Sequence, residues 1–214
     1  MNPVTEKEYE SAIDSRSDRP IYHIMKHAHI GVAGLGGLGS NIVCALARSG
    51  IGYLTLADFD VVELSNINRQ IYTLSDIGEK KAEALPRKIQ EINPFCKIRS
   101  YDERISENNC KRIFSDCDII IEAFDKPEAK AMLVNCVLET MPDKHVISGI
   151  GMAGYGNANA ITTKRITDHL TICGDGISDV EDGVGLTASR VLICAGHMAS
   201  RAIEIILDQN RSGG

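Results

Sequence analysis

The chain has 214 residues, 43% apolar and 24% charged, with no tryptophan and a formal net charge of −6 at pH 7. That length suits one domain of ordinary size with a substantial core. The acidic balance speaks against a nucleic-acid binder, which ordinarily carries a basic excess, and no apolar run approaches the roughly 18–20 residues of a membrane span. The opening stretch, MNPVTEKEYESAIDSRSDRP, is polar and lacks the apolar h-region of a secretory signal, so a cytoplasmic protein is expected.

Residues 1–25 are expected to form a polar, helical leader, residues 26–150 the core, and residues 151–214 strands, loop and helix on the substrate side, all within a single domain. HIGVAGLG is an apolar strand ending in glycines, LGSNIVCALARSG a helix stopped at Gly50, and YLTLADFD a second buried strand. EKKAEALPRKIQEINP predicts a helix ended by Asn93-Pro94, with Pro86 at a kink or break. CKIRSYDE alternates like a strand, ENNCKRIFSD suits a short helix, and CDIIIEAFD is a buried strand. A helix over about Glu128–Glu139 leads to the strand HVISGI.

This βα alternation predicts an α/β fold, a mostly parallel sheet with helices on both faces. Beyond it, GMAGYGNANAITTKR and HLTICGD predict further strands that extend the sheet. ISDVEDGVG is an acidic loop and a candidate site rim, and TASRVLICAGHMASRAIEIIL is a long C-terminal helix. The seven cysteines (Cys44, Cys96, Cys110, Cys117, Cys136, Cys173 and Cys194) form no C-x-x-C pair. They are expected to be free thiols, mostly small buried hydrophobes, and no zinc is expected.

Gly34, Gly36 and Gly39 spell G-x-G-x-x-G between a strand and a helix, with Gly37 inside the motif. Such a loop brings backbone N–H groups and a helix N-terminus up to a phosphate, in the manner of Rossmann-like folds. Asp58 and Asp60, about twenty residues on, end the second strand where a carboxylate meets ribose hydroxyls. The bland alternative is a turn that serves only close helix–strand packing. The motif does not choose its nucleotide, and no constellation suited to a nicotinamide and a general acid stands out.

The segment DFDVVELSNINRQIYTLSDIGEKKAEAL, with EAFD at the end of the fourth strand, resembles the E1-like (ThiF/MoeB/HesA) adenylyltransferases in consistent order from Gly34 to Asp125. GMAGYGNANAI, ICGDG, GVGLTASRV and ICAGHMASRAIEIIL are similar to the short thiamine-biosynthesis branch, ThiF family 2. The resemblance implies ATP and Mg²⁺ as cofactors. It also implies a small ubiquitin-like sulfur carrier (ThiS-like, with a C-terminal Gly-Gly) as partner, a homodimer, and adenylylation of the carrier's carboxylate.

In that pattern Arg69 and Lys81 lie on the phosphates, Asn66 and Gln70 orient phosphate or metal, and Asp58 binds ribose. Asp125 is the catalytic aspartate that helps hold Mg²⁺. Taken singly these signals are weak: Lys81 suits an ordinary solvated helix residue, Asp125 a helix cap before Pro127, and Asn66 and Asn68 plain turn residues.

Three departures stand out. Lys126 and Lys130 replace the family's Asn and Arg after the catalytic aspartate, and the paired C-x-x-C of many relatives is absent. Cys173 is the best-placed candidate for a thiol beyond the adenylation site, against the plainer reading of a buried strand-end cysteine. Arg16 or Arg19 is a candidate for an arginine given to a partner subunit's site, and the chain ends in Gly213-Gly214. Alternatives are a carrier for molybdopterin or cysteine synthesis, an NAD-dependent oxidoreductase, and a non-catalytic nucleotide sensor.

Overall fold

The computed structural model describes residues 4–15, 17, 19–179 and 185–209. Arg16, the centre of the acidic loop and Gly213-Gly214 lie outside the described residues. Among the described residues there are seven strands: β1 (His29–Ala33), β2 (Tyr53–Ala57), β3 (Lys97–Tyr101), β4 (Ile119–Glu122), β5 (His145–Gly149), β6 (Thr162–Arg165) and β7 (Leu170–Gly174). The helices are α1 (Glu6–Asp14), α2 (Tyr22–Met25), α3 (Gly37–Arg48), α4 (Lys81–Ile92), α5 (Glu107–Phe114), α6 (Pro127–Thr140) and α7 (Ala188–Gln209).

The strands form one sheet in the order β3-β2-β1-β4-β5-β7-β6. All neighbouring pairs are parallel except β6 on β7. The order reverses between β1 and β4, the switch point of a Rossmann-like sheet, where the strand ends splay and leave a crevice. The central strands are buried along nearly their whole length, as a sheet covered on both faces requires. One face packs Leu38, Ile42 and Leu46 of α3 with Leu85 of α4 and Met198 and Ala202 of α7. The other packs Cys110 and Phe114 of α5 with Leu133 and Val137 of α6. Among the described residues no helix is long and apolar enough to cross a membrane.

The predicted leader helix is two pieces. Thr5 and Glu8 form a reciprocal capping box at α1, and Asp14 accepts from Ile21 N and Tyr22 N to turn the chain into α2. Of the two expectations for Pro86, a kink or a break, the break does not occur, since α4 runs through it. A proline there leaves the carbonyl of Ala82 without its helical donor. The Ser100 hydroxyl of β3 supplies one at 2.6 Å, so the helix continues.

Gly39 marks the closest approach of α3 to the strand-end loop, where an added Cβ would lie 1.8 Å from the Gly34 carbonyl oxygen. Gly196 in α7 would meet nothing within 4 Å. Gly39→Ala should therefore destabilise the protein strongly, whereas Gly196→Ala should stabilise it by about 0.5–1 kcal/mol through helix propensity. Chemical denaturation of the two variants tests the opposite signs.

At the opposite end of the parallel strands from the glycine loop, the rings of His145 and His169 stack at 4.8 Å and Gln209 Nε2 of α7 lies 3.1 Å from His145 Nε2. Burial, then the neighbouring His169 and Arg201, hold the His145 pKa below its usual value. The unfolded chain therefore takes up a proton at that histidine more readily, so this contribution is present above about pH 6.5 and is lost as pH falls below it. Urea titrations from pH 8 to 5.5 should show a shallower loss for His145→Gln than for the native chain.

Candidate active site

The glycine loop is built by close backbone approach. Gly34 has a φ of +89°, and a Cβ there would lie 2.7 Å from the carbonyl oxygen of Ala123 on the neighbouring strand's exit. Only glycine permits both. α3 then starts at Gly37, with Gly36 as its cap and no side chain capping it, so the first-turn amides are a ready anion site.

Asp58 follows β2 and is buried. Its Oδ2 accepts from Leu35 N at 2.6 Å and its Oδ1 from Asp60 N at 2.8 Å. Each oxygen keeps acceptor capacity for a ribose hydroxyl. The segment after β2 is fastened to the same loop. Tyr72 Oη donates to Leu35 O at 2.9 Å, and Asn41 Nδ2 donates to both Gly37 O and Arg69 O.

Asp76 anchors the far end of that segment, bonded to Thr73 N, Arg87 and Lys88. Burial alone would raise the Asp76 pKa, but the Lys88 and Thr73 hydrogen bonds hold it down to about 2. Gly78, with a φ of +88°, turns the chain and bonds Val62 O before α4 begins.

A cavity of about 870 Å³ opens at the switch point, lined by Gly34, Gly36, Asp58, Asp60, Lys81 and Asp125 among others. That is within the range of small-ligand sites. Lys81 is not a solvated helix residue. Its side chain is 6% exposed, its amide bonds Asp60 O, and its Nζ lies 2.9 Å from Asp60 Oδ2. Asp125 is not a helix cap, because Lys126 holds the N-cap position and Pro127 is the first helical residue. The Asp125 carboxylate is exposed at the cavity wall, with Lys126 beside it.

Arg69 and Gln70 stand around the glycine loop rather than on the cavity wall. Arg69 is half-buried against Gly37, and its Nη1 donates to Ser65 O and Asn68 Oδ1, both at 2.9 Å. Gln70 Oε1 is buried beside Gly36 without a protein partner. Such an orphan acceptor usually marks a water, ion or ligand. Asn66 sits buried in a turn, with its side-chain oxygen accepting from Glu63 N and its carbonyl from Arg69 N and Gln70 N. It shapes the loop that carries Arg69.

Cys173 lies apart from this group, wholly buried in β7 beneath α7. Burial pushes its thiol pKa up, the reverse of an activated cysteine. Arg19 is exposed on the link between α1 and α2.

Two groups of residues escaped the sequence reading. Glu103–Asn108, running from the loop after β3 into the first turn of α5, forms one cavity wall, with Arg104 4.8 Å over the Phe59 ring. Its only sequence signal was its place after a parallel strand, where such sheets carry their sites. The other is the carboxylate of Glu122, wholly buried and paired with Lys130 at 3.0 Å.

Among the described residues no group of three or more His, Cys, Asp or Glu could hold a metal by itself. Hard oxygen donors such as Asp125 fit Mg²⁺ of the kind shared between one or two carboxylates and substrate phosphates.

A sequence profile of the ThiF family matches residues 15–213. The tRNA threonylcarbamoyladenosine dehydratase of Haemophilus influenzae is 38% identical over 146 residues, 67% of this chain and 54% of that protein. The sulfur carrier protein adenylyltransferase of Thermus thermophilus is 34% identical over 102 residues, 47% of this chain and 38% of that protein. The chain thus spans about half the length of the first of these relatives and less of the second. The crystal structure of the Escherichia coli tRNA N6-threonylcarbamoyladenosine dehydratase in complex with ATP superposes with a TM-score of 0.87 at 23% identity, over 99% of this chain and 100% of that one. With the family's pattern running from the leader through α7, this chain belongs to the ThiF family.

Proposed function

We propose that the protein is an ATP- and Mg²⁺-dependent adenylyltransferase that activates a carboxylate as an acyl adenylate. The observation that carries this reading is one cavity at the switch point that joins a glycine loop, a ribose-facing Asp58, a buried lysine and an aspartate on the opposite wall. A carboxylate oxygen of the acceptor attacks the α-phosphorus of ATP, the bond from that phosphorus to the bridging oxygen breaks, and pyrophosphate leaves.

Both reactants are anions, so the chain's contribution is positioned positive charge. The first turn of α3 and the Lys81 ammonium serve the phosphates. Lys81 is held ready by Asp60, whose carboxylate aims the otherwise buried ammonium. Arg69 has donors left beyond its bonds to Ser65 and Asn68, and its place beside Gly37 suits the same phosphates. Bound Mg²⁺ would neutralise developing charge on the phosphate oxygens, with Asp125 as its protein ligand.

The acceptor in this reading is the C-terminal Gly-Gly carboxylate of a small ubiquitin-like sulfur carrier. It is supported by the relatives named as sulfur carrier and molybdopterin-synthase adenylyltransferases. A ThiS-like carrier in thiazole formation is the finer form, resting on the pattern of residues 151–207. A second copy of the chain completes the proposal, covering α7, where Leu192 is exposed. The likeness to the dehydratases favours a second acceptor. A threonylcarbamoyl group also bears a carboxylate, and its dehydration can pass through the same adenylate.

ATP–pyrophosphate exchange with Mg²⁺ tests the reading, run with Gly-Gly carriers and, separately, with tRNA bearing threonylcarbamoyladenosine. Exchange that needs a carrier supports the first acceptor, and exchange that needs the tRNA replaces it by the second. ATP binding without exchange under either condition would sink adenylation. Arg69→Ala should lower the exchange rate about 10- to 100-fold, the loss of one charged hydrogen bond of about 1.5–3 kcal/mol. Cys173→Ala should leave the rate within about twofold, because its thiol is buried and disfavours the thiolate; a large drop would restore a role for that sulfur.

A further inference from the structure

Glu122, the last residue of β4, is wholly buried and does not line the cavity. It accepts from Phe124 N at 2.6 Å, from Ser148 Oγ of β5 at 2.5 Å, and from Lys130 Nζ of α6 at 3.1 and 3.0 Å. Lys130 Nζ also donates to Gly149 O at 2.8 Å. Two strand ends and the first turns of a helix thus converge on one buried ion pair. A pair of this kind is a weak source of net stability, because desolvation offsets the attraction. What it does supply is fixed geometry, since every member is bonded.

The geometry in question is that of residues 123–126, the loop between β4 and α6. One end is tied to β1 by the Ala123 N to Ala33 O bond, and the Phe124 amide is turned back onto Glu122. Among the described residues no hydrogen bond or ion pair holds the Asp125 carboxylate itself. Its place at the cavity wall is therefore set by the backbone on either side, which is bonded to the buried pair at Phe124 N.

We propose that Glu122 and Lys130 are positioning residues, a clamp that fixes the 123–126 loop and so holds Asp125 at the nucleotide cavity. This rests on the adenylation reading for its catalytic consequence, though not for the clamp itself. A single Lys130 ammonium meets the Glu122 carboxylate and the Gly149 carbonyl together.

The test uses the full chain with Glu122→Gln/Lys130→Met, which replaces the pair by neutral residues of similar shape and should keep the fold. Lys130→Gln serves in its place if the double variant does not fold, and Lys130→Arg is the conservative control. Amide hydrogen exchange of Ala123 and Phe124, whose N–H groups are bonded, reads the clamp without nucleotide, and pyrophosphate exchange reads its consequence.

We expect those amides to exchange at least about tenfold faster in the neutral variant. The turnover should fall about 10- to 100-fold with little change in the KM for ATP, as misplacement by about 1 Å does elsewhere. Lys130→Arg should recover most of both. Unchanged amide protection, or unchanged turnover in a folded variant, would overturn the proposal. A native chain inactive with every acceptor would instead overturn adenylation, and the amide readout would still decide the clamp.

Discussion

The Asp58 carboxylate is the point on which this structure turns. Accepting Leu35 N and Asp60 N at once, it joins the end of β2 to the glycine loop and to the residue that pairs with Lys81. A buried carboxylate is costly without donors, and here two backbone amides supply them. The same bonds leave the sheet's crevice with its floor, its anion-binding helix start and its lysine in fixed relation.

Around that joint several side-chain hydrogen bonds engage backbone atoms. Tyr72 on Leu35 O, Asn41 on Gly37 O and Arg69 O, and Ser40 Oγ accepting from Ile71 N all fasten the segment after β2 to α3. Glycines on the loop allow the approach, and these polar residues keep it from wandering. The Glu122–Lys130 pair does the same work on the opposite wall, so both walls are held by buried polar groups in a scaffold whose core is otherwise apolar.

Most of this fold was legible in the chain because its signals are local. Apolar runs gave the strands, Gly50 ended α3, and the alternation of elements implied a parallel sheet. That the helix does not break at Pro86 could not be read locally, because the donor that meets the Ala82 carbonyl comes from Ser100, on a strand distant in sequence. At the site, Lys81 and Asp125 looked ordinary by spacing, since nothing local says that one is buried against Asp60 or that Lys126 takes the cap from the other. Glu122 and Arg104 were invisible for the same reason. Their partners lie across the sheet or in a separate loop, and pairing at that range is set by topology rather than by neighbours in sequence.

The sheet order leaves two open edges, β3 and β6, and both carry cations: Lys97 and Arg99 on one, Lys164 and Arg165 on the other. All four residues of β6 are exposed. Arg99 and Arg165 hold Asp116 and Asp168, so the edges are crowded with hydrated, bulky side chains and not merely charged. Adding a further strand at either edge would strip that water away, a familiar safeguard against edge-to-edge aggregation. Copies of this chain are thus steered away from growing one continuous sheet, and any closed assembly is left to the helical faces and loops.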